Sequence, residues 1–270
     1  MTSVITTGNF KGGVGKTTNA VMIAYELSNM DKKVLVVDFD PQANTTDLLF
    51  TTMKKVLKKE PTYEITLANA IFEHQDLRPA LISVKENLDL LPSYKDLQEF
   101  ERYLYDNFSD DLSMDSYFNQ LLNEIKEDYD FVIIDVPPQM NKFTDSAFVA
   151  SDYVIIILQT QERSLKGAET YIEHLLQLTD DYNLNTDILG VLPVLMQNGS
   201  DLDKDVIEDA IDSFQKQNLF TNQIKQMARL KRFDREGITN NKSDIHDKNV
   251  HKAYKSVAEE VLQRIELLKK

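Results

Sequence analysis

Short β-branched apolar runs alternate along this chain with longer segments whose apolar positions recur at helical spacing. The runs Ser3–Thr7, Val34–Asp38, Leu88–Leu91, Phe131–Asp135, Tyr153–Gln159 and Ile188–Pro193 end at polar, glycine or proline residues and predict strands. Between them, Thr17–Asn29, Met114–Lys126, Leu165–Leu178 and Asp201–Gln217 carry apolar residues three and four apart and predict helices. This alternation predicts an α/β fold, a doubly wound, mostly parallel sheet with helices on both faces. VLVVD, FVIID and YVIIIL are apolar on both parities, as strands covered on both sides must be, which places them at the centre of the sheet. Ligands of such sheets sit beyond the carboxyl ends of the strands, where Lys11, Asp40 and Asp135 all fall.

Composition narrows the picture. With 270 residues, 42% hydrophobic and 27% charged, the chain can bury a large core, and no repeat or Pro/Gly-rich linker divides it, so one domain over 1–270 is expected. No apolar run approaches the roughly 18 residues of a membrane span, and the start lacks the pattern of a secretory signal. A soluble, cytoplasmic protein is expected. The absence of cysteine excludes disulfides, thiolate zinc sites and cysteine-bound iron–sulfur clusters, leaving oxygen or imidazole ligands for any inorganic cofactor and magnesium as the natural candidate. His74, His174, His246 and His251 show no metal spacing and read as surface or half-buried side chains; Lys54, Lys55, Lys58 and Lys59 read as a solvated helix end or loop. The formal charge of −14 argues against a polyanionic partner, yet its distribution is uneven. Residues 225–255 hold nine basic against four acidic side chains, net +5, which leaves −19 for the rest and marks a basic C-terminal region.

The strongest chemical signal is Lys11-Gly12-Gly13-Val14-Gly15-Lys16-Thr17-Thr18, set between a predicted strand and a predicted helix. This is the context of a P-loop that binds ATP with magnesium. The glycines let backbone N–H groups close round phosphate oxygens, the helix start adds positive dipole, Lys16 would lie between the β- and γ-phosphates, and Thr17 would ligate magnesium. The first glycine of the strict G-x-x-x-x-G-K-T pattern is replaced by Phe10. Tyr129 to Asp135, followed by Pro137-Pro138, has the form of a Walker B strand, so Asp135 should hold a magnesium-bound water.

Lys11 to Thr17 matches in full the K-G-G-x-G-K-[ST] hallmark of the deviant Walker A ATPases, and the chain resembles the ParA/MinD group of that class. Asp38-Phe39-Asp40-Pro41-Gln42-Ala43-Asn44 resembles the group's D-x-D-P-Q-[GA]-N segment. The resemblance implies that Lys11 reaches the partner's ATP across a nucleotide-sandwich homodimer. It implies that Asp40 positions or activates the attacking water, that Asp38 supports the magnesium region, and that the loop after Asp135 senses the γ-phosphate. Gln159 to Glu162 and Gly190 to Pro193 also resemble ParA segments, and the Pro193–Met196 loop is the candidate adenine rim, supplying Pro193 and Met196.

Ile224 to Leu230, then Gly237-Ile238 and a predicted helix Ala253–Leu268, resemble the closing region of the ParA family. There an arginine contacts DNA without regard to sequence. Arg229 is the matching position, with Lys231 and Arg232 beside it. The family members that begin at the P-loop strand, as this sequence does, are chromosomal and short plasmid partition ATPases. The implied function is a weakly active ATP hydrolase, nucleoid-associated, that dimerises on ATP-Mg, binds DNA nonspecifically and is stimulated by a centromere-binding, ParB-type adaptor. A membrane-cycling ATPase of the MinD kind is the alternative. It would need Val250–Lys270 as a lipid-inserting helix, but Glu259, Glu260 and Glu266 and the lack of Phe or Trp favour packing on the sheet, so no membrane partner is expected.

Overall fold

The computed structural model describes residues 2–196 and 201–269; Lys270, the end of the amphipathic segment above, lies outside them. Eight strands, β1 (Ser3–Gly8), β2 (Val34–Asp38), β3 (Ile82–Lys85), β4 (Leu88–Leu91), β5 (Phe131–Asp135), β6 (Tyr153–Gln159), β7 (Asp187–Met196) and β8 (Ile224–Lys225), form one sheet. Their order is β3-β4-β2-β5-β1-β6-β7-β8, parallel throughout except for the β3–β4 hairpin. The expected mostly parallel, doubly wound sheet is what forms.

Ten helices surround it among the described residues: α1 (Lys16–Asn29), α2 (Asn44–Thr52), α3 (Leu67–Asn69), α4 (Phe100–Asn107), α5 (Asp111–Asn123), α6 (Lys142–Ala150), α7 (Glu162–Tyr182), α8 (Asp201–Phe214), α9 (Ala228–Glu236) and α10 (Ile245–Leu268). Alternation along β1 and β5 divides the core. Ile5 and Ile133 face a cluster with α1, α2, α9 and α10, whereas Val4, Val132 and Ile134 face α3 to α6. Val154, Ile156 and Leu158 meet α7 and α8 on that second side.

Helix α10 begins at Ile245, eight residues before the expected Ala253, because Asp244 caps it by accepting from the His246 N–H at 2.8 Å. Its apolar stripe, Val250, Tyr254, Val257, Val261 and Ile265, is buried in the core. His251 Nδ1 meets Glu26 of α1 at 2.5 Å and Nε2 meets the Thr239 carbonyl at 2.8 Å. Burial opposes a charge on this ring, but two acceptors, one on each nitrogen, leave its pKa raised and the imidazolium favoured. The lysines of 51–61 are on or just beyond a π-helical turn, Met53–Leu57, where Lys55 donates to the Arg235 carbonyl at 2.6 Å and Lys59 to that of Ser83.

The sheet is closely packed where β1 ends. At the end of β1 an added Cβ on Gly8 would lie 1.9 Å from Cζ of Tyr171, a fully buried α7 side chain whose hydroxyl has no partner among the described residues. Gly8→Ala should therefore destabilise the fold by about 1–3 kcal/mol, as overpacking does. Tyr171→Phe removes an orphaned hydroxyl and should be neutral or stabilising by about 1 kcal/mol. Urea unfolding of both variants checks this; a large loss in Tyr171→Phe would mean the hydroxyl is bonded.

Candidate functional site

Between β1 and α1 the chain turns through Gly13 at φ 76° and Gly15 at φ 91°, left-handed values that a side chain would strain. Val14, fully buried between them, pins the loop to the core. Lys16, 7% exposed, turns back into the loop, its Nζ donating to the Asn9 carbonyl at 3.1 Å and the Lys11 carbonyl at 3.5 Å. Burial lowers its pKa, and the nearby Asp135 and Asp40 carboxylates act in the opposite direction. Lys11 stands half-exposed at the head of the loop, and Gly12 and Gly13 are exposed.

The second and third motifs arrive from β2 and β5, whose last residues pair in register, Asp38 beside Asp135. Asp135 Oδ2 accepts from the Thr17 and Thr45 hydroxyls, each at 2.8 Å, while Oδ1 is buried without a partner among the described residues. Burial lifts its pKa to about 6 against the pull of those hydroxyls and of Lys16. Asp40 accepts from the Gln42 N–H at 2.9 Å, and burial raises its pKa too, with Lys16 opposing. The fold brings Asp40 and Asp135 close to Lys16, with Thr17 on Asp135 and the Lys16 ammonium at the Lys11 carbonyl.

Asp38 is engaged differently. It is fully buried, and its Oδ2 accepts from both the Thr46 N–H at 2.8 Å and the Thr46 hydroxyl at 2.7 Å, at the start of α2. Burial, then the neighbouring Asp135, raises its pKa well above the usual carboxylate value. These contacts make Asp38 the clamp that holds α2 against the sheet. Just ahead of α2, Ala43 takes a left-handed φ of 58°, a strained conformation for a residue with a side chain.

An open cleft of about 570 Å³ is lined by Gly13, Gly15, Lys16, Thr17, Asp40 and Asp234 among others. No three His, Asp or Glu side chains among the described residues form a cage for a metal. A divalent ion here would share one hydroxyl and one carboxylate with a ligand's own oxygens, as magnesium does with nucleotides, and the orphaned Asp135 Oδ1 beside Thr17 fits that need. Thr45 and Asp234 were not foreseen. The Thr45-Thr46 pair directly after Asn44 carries a readable hint, hydroxyls entering a helix N-terminus, whereas Asp234 reaches the cleft only through packing of α9 on α2.

Two expected regions differ from their sequence reading. Pro193–Met196 is not a loop but the end of β7. Pro193 is buried and pairs with Leu158 of β6, and its missing N–H is tolerated because β7 meets its other neighbours only at Val191 and from Val194 onward. Neither Pro193 nor Met196 lines the phosphate cleft. Arg229 lies at the start of α9 with its side chain 13% exposed, bound to Asp247 and Asp244 at 2.5 Å and to Glu236 at 3.4 Å. Lys231 and Arg232 beside it are exposed.

A family model described as an AAA domain matches residues 2–188. Sporulation initiation inhibitor protein Soj of Bacillus subtilis is 33% identical over 211 residues, 77% of this chain and 79% of that protein. Chromosome-partitioning ATPase Soj of Thermus thermophilus is 28% identical over 262 residues, 97% of this chain and 96% of that one. Among solved structures, cobyrinic acid a,c-diamide synthase from Mycobacterium smegmatis with bound ADP and magnesium superposes with a TM-score of 0.79 at 24% identity, covering 98% of this chain and 96% of that one. A plasmid partition protein from Borrelia burgdorferi gives 0.71 at 23% identity, covering 97% and 98%. At those identities the structural likeness speaks for the fold, while the sequence relatives carry the family. The phosphate loop with two lysines, the carboxylates gathered round it and these relatives agree: the chain belongs to the ParA/Soj family of partition ATPases.

Proposed function

We propose that this protein is a DNA-partition ATPase that takes ATP-Mg in the cleft, pairs with a second copy across the nucleotide, and in that state binds DNA without regard to sequence. The observation that carries the reading is the gathering of Lys16, Thr17 and Asp40 on one open cleft, with Asp135 bound to Thr17 and Lys11 at the head of the loop. Bound magnesium neutralises charge on the β- and γ-phosphate oxygens. The chain's own groups do the rest. Backbone N–H groups from Gly12 to Thr18 cradle the phosphates, and the Lys16 ammonium leaves its carbonyl acceptors for the β/γ bridge. Thr17 and Asp135 hold the metal region, Asp38 supports it through α2, and Asp40 orients the attacking water and can accept its proton. Lys11 serves the partner's nucleotide, which ties hydrolysis to dimerisation.

The apolar face of α10 is already used in the core, which favours DNA over a lipid surface as the second partner. A centromere-binding, ParB-type adaptor that stimulates hydrolysis and a nucleoid-associated location complete the proposal. With Arg229 balanced by three carboxylates, the DNA contacts pass to the exposed Lys231 and Arg232, and Arg229 organises the α9–α10 junction beneath them.

Lys16→Ala should lose ATP binding, whereas Lys11→Ala should bind ATP as a monomer yet neither dimerise nor hydrolyse it. Light scattering with and without ATP-Mg reads the difference, and an ATP-dependent dimer in Lys11→Ala removes its role in trans.

The Asp135 carboxyl also predicts opposite pH trends. Metal binding needs the carboxylate, so magnesium-dependent nucleotide affinity should fall as pH drops through about 6. With its pKa raised on folding, this group's contribution to the stability of the nucleotide-free protein is full below the ordinary carboxylate range and is lost as pH rises through about 6. Calorimetric titration of ATP-Mg and urea unfolding, each from pH 5 to 8, test both trends, and Asp135→Asn should remove them.

On DNA, Lys231→Ala/Arg232→Ala should weaken binding equally on unrelated sequences and flatten the salt dependence by about 0.9 per lost phosphate contact. The ATP-dependent dimer should persist. Wild-type protein that binds liposomes and ignores DNA would transfer the reading to the membrane-cycling class.

A further inference from the structure

We infer that Asn9 is the residue that aims Lys11, with helix α7 as its anchor and Gly167 as the gap in α7 that admits it; the inference rests on the proposed action of Lys11 in trans. Asn9 is fully buried, and its side-chain amide is used at both ends. Nδ2 donates to the Ile157 carbonyl at 2.8 Å and to the Ser164 carbonyl at 3.1 Å, and Oδ1 accepts from the Lys11 N–H at 2.8 Å. One side chain thus joins the Lys11 backbone to β6 and to the first turn of α7. A turn further along α7, a Cβ on Gly167 would lie 2.6 Å from Asn9 Oδ1 and 3.2 Å from both N and Cβ of Lys11. The absent side chain is what lets the loop lie against the helix. One turn further again, Phe10 packs edge-on against Tyr171 at 4.8 Å between centroids, with His174 at 5.8 Å.

Residues 9 to 11 therefore touch α7 along successive turns, whereas the Lys16 backbone opens α1 and only its ammonium reaches back to the Asn9 and Lys11 carbonyls. The backbones of the two lysines thus have separate anchors, α7 for Lys11 and α1 for Lys16. Lys11 enters none of the ion pairs among the described residues, so only its backbone is fixed and its ammonium is free to be delivered. A cation that must reach another subunit's phosphates depends on where its backbone starts, because a displacement near 1 Å can cost about a hundredfold in rate. Asn9 and Gly167 are positioning residues in this account, since they act through Lys11 and not on the nucleotide.

Gly167→Ala and Asn9→Asp test this. Alanine is the better helix former, so α7 should persist while Asn9 and Lys11 are pushed out; aspartate keeps the acceptor for the Lys11 N–H but cannot donate to Ile157 and Ser164. Both variants should stay folded at the assay temperature with lowered thermal midpoints, Asn9→Asp the more so because its buried carboxylate faces two carbonyls. They should bind fluorescent ATP-Mg as monomers within about threefold of wild type, because the Gly13–Thr18 turn and α1 are retained. ATP-dependent dimerisation and kcat should each fall by about ten- to a hundredfold, the phenotype of Lys11→Ala, with KM little changed. Wild-type dimerisation and turnover in Gly167→Ala overturn the inference, as does loss of monomeric ATP binding in both variants, which would make Asn9 a support of the whole loop. Should wild-type protein itself stay monomeric with ATP-Mg, the sandwich-dimer reading fails.

Discussion

Asp135 ends a central strand, 1% exposed and side by side with a second buried carboxylate, Asp38, on the adjoining strand. Leaving such groups unpaired costs several kcal/mol, so the chain must supply partners. It does so by drawing in the two helices that frame the crevice, Thr17 from α1 and Thr45 from α2 on Asp135, and the start of α2 through Thr46 on Asp38. The geometry of the phosphate loop relative to the second motif follows from satisfying these two carboxylates. Compensation stays incomplete, since Asp135 Oδ1 has no partner among the described residues and Lys16 is the cation that acts on this carboxylate. A site that remains short of positive charge gains stability from whatever cation binds it, which links occupancy of the cleft to the rigidity of α1 and α2.

Electrostatics also organises the C-terminal region, in a way that net charge conceals. The basic region holds an arginine enclosed by three carboxylates, and two of these, Asp244 and Asp247, belong to the cap and first turn of α10. Asp247 in addition accepts from Thr239 and from the Asn241 N–H, so the pair with Arg229 fixes the connection between α9 and α10. Since Asp234 of α9 faces the cleft, the helix that bears Lys231 and Arg232 is exposed to charge on both sides.

Patterning in the sequence revealed the central strands, the phosphate loop and the convergence of its acidic partners, because both-face burial and glycine-rich turns leave local marks. It missed elements whose cause is tertiary. Strand β3 pairs only as a hairpin with β4, and β8 has two residues. Helix α9 buries only Leu230 and Phe233, too few for a periodic signal. Arg229 reads as a surface cation because its partners lie up to 18 residues away and meet it only when α10 docks. For Pro193 the proline suggested the end of a strand, yet a register gap beside it lets β7 continue to Met196.

The departure from the strict phosphate-loop pattern at Phe10 acquires a physical reason in the packing. A glycine there would leave the head of the loop without an anchor, whereas Phe10 fills the space beside Tyr171 and, with Asn9, fixes the loop to α7. Two residues later the requirement reverses. An added Cβ on Gly13 would meet nothing within 4 Å, and one on Gly12 only Pro138 at 3.7 Å, so packing does not demand glycine at either position. What does demand it at Gly13 is the left-handed φ, and at both the approach of a ligand to bare N–H groups. The loop is thus anchored to α7 at Asn9 and Phe10 and bare at Gly12 and Gly13, and the residue types change at the boundary between those two stretches.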